Sequence, residues 1–88
     1  MRRKIVQLVH FQHPVDSWAL YEAILDTENN KIDKITDTPI KNGIFFKYQE
    51  AIQEWGKVEN KYSGLLDILD EMEYNEILAE EQESELSF

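Results

Sequence analysis

Cysteine is absent from this chain. Its absence excludes a disulfide scaffold, a thiolate metal site and a cysteine nucleophile. Glycine occurs only 3 times, too sparsely for a phosphate-binding loop or a dinucleotide fingerprint. No apolar run approaches the roughly 20 residues that a bilayer-crossing helix needs. The basic start Met1, Arg2, Arg3, Lys4 leads into a short apolar stretch over residues 5–11, which Gln7 and His10 interrupt. No small-residue cleavage site follows, so the stretch does not read as a secretory signal and the expected location is cytoplasmic.

Chemistry-bearing side chains are also scarce. His10 and His13 are the only histidines. Three positions apart on a strand they point to opposite faces, and Pro14 disfavours the helix that would bring them together. No metal site and no cofactor is expected. Ser17, Ser63, Ser84 and Ser87 sit in no nucleophile elbow. Carboxylates abound, but acid catalysis needs one carboxyl with a raised pKa in an apolar pocket, the reverse of a solvated acidic face. The expectation is a protein without enzymatic activity.

What remains is 88 residues, 42% of them apolar, which is enough for one compact domain. The formal net charge is −9, and it is unevenly placed. Residues 1–44 hold six basic and six acidic side chains and balance to zero. Residues 45–88 hold three basic and twelve acidic ones. From Asp67 to Glu85 there are nine acids and no base. Such asymmetry bears on partners and solubility rather than on fold, and it argues against direct binding of duplex nucleic acid by this half.

Periodicity gives the elements. Residues 5–11 are apolar on both faces, with Ile5, Val9 and Phe11 on one and Val6 and Leu8 on the other, as in a strand covered on both sides or paired in a dimer. Residues 12–17 read as a connector around Pro14. Residues 18–26 favour a strand over a helix, because Asn29 and Asn30 make a turn and residues 31–36 follow as a polar, β-branched strand. Asn42 and Gly43 fit either a second tight turn with a short strand over residues 43–46 or, preferred for the helical pattern beyond, an N-cap at Asn42 of a helix whose stripe runs through Phe45, Tyr48, Ile52, Trp55 and Tyr62. Ser63 and Gly64 break it, and Leu65, Leu66, Ile68, Leu69 and Met72 form a second stripe. The expected fold is α+β: a small antiparallel meander of about three strands, then one long broken helix or two helices that cover one sheet face. Residues 1–80 form the single domain, and residues 81–88 an acidic, flexible C-terminal tail.

The C-terminal run Glu83, Ser84, Glu85, Leu86, Ser87, Phe88 resembles the tip of bacterial and phage single-stranded-DNA-binding proteins, with Ser87 where proline is usual and Glu in place of Asp. The resemblance implies a terminal Phe88 that docks, with its carboxylate, in a basic apolar pocket of a replication or repair enzyme. In size and charge the whole chain also resembles small acidic inhibitors from phages and mobile elements, among them anti-CRISPR and anti-restriction proteins.

Those features converge on an acidic interaction module that binds and inhibits a basic, nucleic-acid-binding protein by phosphate mimicry. The partner-binding candidates are Asp67, Asp70, Glu71, Glu73, Glu76, Glu80, Glu81 and Phe88. On a helix, Asp67, Asp70, Glu71 and Glu81 share one side, while Glu73, Glu76 and Glu80 form a second row. Charge reversal of Asp70 and Glu71 is expected to abolish binding with little change in fold. The alternatives are a homodimeric accessory subunit assembled through Tyr48, Ile52, Trp55, Leu65, Leu69 and Met72, or a replication accessory acting through its tail.

Overall fold

A computed structural model describes the backbone of residues 1–58 and 68–86, and the side chains of residues 1–58 and 68–80. Its base is a long hairpin. Strand β1 (Arg2–Phe11) runs antiparallel to β2 (Ser17–Asp26) in unbroken register, from Arg2 opposite Asp26 to Phe11 opposite Ser17. The connector between them holds the cis peptide His13–Pro14. Asp26 organises the next turn. Its carboxylate accepts hydrogen bonds from the side chain of Asn29 at 2.7 Å and from the backbone N–H of Glu28 at 3.0 Å. The Asn29 side chain, foremost, holds the Asp26 carboxyl below the usual carboxylate range. Asn30, at φ 53°, supplies the left-handed residue that closes the turn.

Strand β3 (Lys31–Ile35) then returns along β2, with a register shift at Ile24 and Leu25. The chain does not leave that edge. The Thr36 N–H donates to Glu22 O at 3.0 Å and the Ile40 N–H to Leu20 O at 2.7 Å. Strand β4 (Lys41–Ile44) pairs with the far end of β2, so β3 and β4 lie end to end beside one strand. Here the sequence reading is corrected: Asn42 starts no helix. Gly43 pairs with Trp18 across the ladder, with the indole packed against its backbone. Phe45, at φ 59°, then turns the chain out of the sheet, and helix α1 (Tyr48–Val58) begins beyond it. A two-residue strand β5 (Leu69–Asp70) runs parallel to β1 at Val9 and His10 and leads directly into helix α2 (Glu71–Leu86). The sheet order is β3-β2-β1-β5, with β4 also on β2, so among the described residues five strands stand where about three were expected.

Both faces of the sheet are covered. Val6, Leu8, Trp18 and Leu20 pack with Ala51, Ile52, Trp55 and Val58 of α1. Ile5, Val9, Ala19, Tyr21, Ala23, Leu25 and Ile35 pack with Tyr74, Ile77 and Leu78 of α2. The two-sided apolar pattern of β1 thus has its cause in one chain, and Ile5, Val6, Leu8 and Val9 are fully buried. Each such side chain contributes about 1.5–3 kcal/mol. The expectation that both helical stripes cover a single face is corrected: α1 and α2 take opposite faces. Hydrogen bonds fix each cover. The Trp55 Nε1 donates to Val6 O at 3.2 Å. The Tyr74 hydroxyl donates to Thr36 O at 3.3 Å, and burial pushes that phenol well above its usual pKa. The expected break at Ser63 and Gly64, and the stripe residues Tyr62, Leu65 and Leu66, lie outside the described residues. So do the side chains of the expected tail, although α2 itself is bounded at Leu86. No helix among the described residues is long and apolar enough to cross a membrane.

Candidate interaction surface

Helix α2 carries the candidate acids, and its start follows from Asp70. The Asp70 carboxylate accepts the backbone N–H of Glu73 at 2.9 Å, the standard way an N-cap satisfies an orphan donor of the first turn. Glu71 reaches across to the connector and accepts the Gln12 N–H at 3.2 Å. Both acids also sit where they favour the positive end of the helix dipole. These two side chains therefore hold structure, which corrects the expectation that reversing their charge would leave the fold untouched.

Glu73, Glu76 and Glu80 differ. All three are exposed, and among the described residues none has a cation within ion-pair distance. Several acids of the other elements are matched: Asp33 with Arg2 at 2.7 Å, Glu22 with Lys4 at 3.3 Å, and Glu54 with Lys41 and Lys57 at 2.6 and 2.9 Å. The Lys41 hydrogen bond, with that of Lys57, holds the Glu54 carboxyl below its ordinary pKa. Three carboxylates without an ion-pair partner among the described residues thus stand together on α2.

Helical geometry sets its density. Asp70, Glu71, Glu73, Glu76 and Glu80 fall within a rise of about 15 Å, roughly one carboxylate per 3 to 4 Å. One strand of duplex DNA carries a phosphate about every 3.4 Å. At about 100° per residue, Asp70, Glu73, Glu76 and Glu80 occupy an arc of about 120°, and Glu71 lies off it. That arc flanks the buried side of α2, so the acids line a hollow rather than the outermost surface. A groove of about 410 Å³ lies between α2 and the sheet, bounded by Glu73, Glu76, Glu80, Ile77, Leu69, Ile32, Gln7, Asn30 and Lys31. On the other flank of α2, a hollow of about 550 Å³ is lined by His13, Glu71, Met72 and Asn75, among others. Of the remaining candidates, Asp67 and Phe88 and the side chain of Glu81 lie outside the described residues.

The alternative assembly stripe is largely consumed by the fold. Ile52 and Trp55 pack on one core and Leu69 on the other. Tyr48 and Met72 are exposed, but they belong to helices on opposite sheet faces. Leu65 lies outside the described residues. The sequence reading missed a different apolar patch: Ile44, Phe45 and Tyr48 are 68%, 64% and 54% exposed around the β4–α1 junction. Its one visible signal is the adjacent Phe45 and Phe46, which a single face cannot bury together. Phe46 goes inward and stacks on His10 at 4.2 Å between ring centroids. His10 also lies 3.3 Å from an Asp16 carboxylate oxygen. Among the described residues no group of three or more His, Asp or Glu side chains is placed to hold a metal ion.

Comparison with protein-family models, with curated proteins and with solved structures finds no match to this chain.

Proposed function

We propose that this chain is a non-enzymatic interaction module that binds a basic, nucleic-acid-binding surface of another protein and blocks it. The carboxylates of α2 stand in for phosphates. The observation that carries this reading is the row of exposed carboxylates Glu73, Glu76 and Glu80 on one side of α2, none with a cation partner among the described residues. A rigid row of this kind steers association and makes it sensitive to salt. The phage or mobile-element inhibitor type is the natural setting for such a surface.

The test uses the immobilised full chain and a variant with Glu73→Gln, Glu76→Gln and Glu80→Gln. Wild type should retain nucleic-acid-binding proteins at about 0.1 M salt and release them by about 0.5 M, where exposed charges are screened. Added duplex DNA should compete them off. The variant should keep its circular dichroism spectrum and lose the retained set. Retention that the variant preserves, or that DNA does not displace, refutes the proposal.

A further inference from the structure

The groove beside α2 has a feature that charge mimicry alone does not require. Its floor is largely apolar: beside the buried Gln7, Ile32, Leu69 and Ile77 are half-buried there, each packed on the core with one side and open to the groove with the other. A flat row of carboxylates would suffice to displace a phosphate backbone. A hollow of about 410 Å³ is instead of the size that accepts a ligand group.

Resting on the proposed cation-binding role of α2, we infer that this groove seats a short amphipathic basic peptide segment of the partner, with an apolar side chain on the floor and Lys or Arg side chains against the acidic wall. Charge selects this occupant. Among the described residues, Glu73, Glu76 and Glu80 on the wall face a single cation, Lys31, across the groove. That balance repels nucleic acid and favours a cationic ligand over a neutral one. It also disfavours a second copy of this chain, whose net charge is −9. Spacing agrees with a helical segment. The three glutamates are separated by three and four residues, a length of about 10 Å or two helical turns, so cations at i, i+3 and i+7 of a helix laid along α2 meet all three. An apolar residue between those cations then faces Ile77 and the floor, the arrangement of a helix-in-groove interface. Apolar contact supplies the discrimination that exposed ion pairs, worth little individually in water, do not.

The probes are two synthetic helical peptides of equal charge. One carries Lys and Leu at those spacings, and the other replaces every Leu by Ala and so keeps helicity and charge. Affinities are measured by calorimetry on the full chain at about 0.15 M salt, with methyl-resolved NMR to locate the contact. The Leu peptide should bind about tenfold or more tightly than the Ala peptide, the scale of about two buried methylene groups at the floor. Methyl shifts should centre on Ile32, Leu69 and Ile77, and the triple Glu→Gln variant should weaken both peptides. Equal affinity of the two peptides, or shifts centred on Ile44 and the β4–α1 patch, overturns the groove inference while leaving the charge reading intact. If neither peptide binds, or if the Glu→Gln variant binds as wild type does, both readings fall.

Discussion

Gly43→Ala and Gly56→Ala are the same chemical change with opposite expected signs. At Gly43 an added Cβ would stand 2.5 Å from Trp18 Nε1, 2.7 Å from Cε2 and 2.9 Å from Cζ2. Relaxed contacts of this kind lie at about 3.5–4.0 Å, so the atoms overlap by about 1 Å. The indole cannot swing away, because Trp18 is 2% exposed within the α1-side core. Overpacking of this kind costs about 1–3 kcal/mol. Replacing glycine also removes freedom from the unfolded chain, which returns about 0.4–1 kcal/mol. Taking the middle of each range, about 2 less about 0.7 kcal/mol, the net loss is about 1.3 kcal/mol, and at about 4–8 °C per kcal/mol for a domain this small, Tm should fall by about 5–10 °C. Gly56 lies within α1 with nothing within 4 Å of an added Cβ. Its change to alanine should stabilise by about 0.5–1 kcal/mol. Thermal and urea unfolding followed by circular dichroism reads both. A Gly43→Ala protein as stable as wild type would refute the seated-indole account. A double-mutant cycle sharpens it: in a Trp18→Phe background the ring is smaller, and the Gly43→Ala penalty should shrink. Trp18→Phe itself should cost little for its size, because the buried Nε1 has no hydrogen-bond partner among the described residues.

Other perturbations separate structure from surface. Asp70→Ala removes the acceptor for the Glu73 N–H and should cost about 1 kcal/mol by urea unfolding. Phe45→Asn should stabilise by about 1 kcal/mol, since Phe45 is exposed and holds φ 59°, a left-handed backbone that asparagine tolerates better. An unchanged urea midpoint would show that the chain relaxes there at no cost. Glu54 has a depressed pKa in the fold, so its contribution is present above the unfolded carboxylate value and is lost as pH falls through the folded one. The Tm gap between wild type and Glu54→Gln should therefore be open at pH 7 and should close below about pH 4.

The hairpin, its turn and the second face of β1 were legible because each rests on local chemistry. Asn29 and Asn30 act within a few residues of where they are read, and alternation along residues 18–26 assigns Ala19, Tyr21, Ala23 and Leu25 to one face, as observed. Strand β4 was legible only as the less favoured of two readings. Gly43 is a strand residue because Trp18 lies over it, and that partnership across 25 positions appears only once the register of β2 is known. The segment's own preferences, an asparagine and a glycine before apolar residues, fit a helix start equally well. Strand β5 has two residues and no pattern of its own. For the surface, the charge row was legible from spacing alone. What spacing hid was that Asp70 and Glu71 are engaged by backbone donors, and that Glu73, Glu76 and Glu80 flank an apolar groove.

Because Tyr74, Ile77 and Leu78 close one core from the same helix that carries the acids, the charged surface is not a detachable appendage. Deleting the acidic half would uncover Ile5, Val9 and Tyr21 along with removing the charge, so truncation cannot distinguish loss of binding from loss of folding. The three outward glutamates can drift, by contrast, without touching a buried position. Under the proposed function, a lineage of such chains can retune partner binding one carboxylate at a time while selection on stability holds the interleaved apolar positions still.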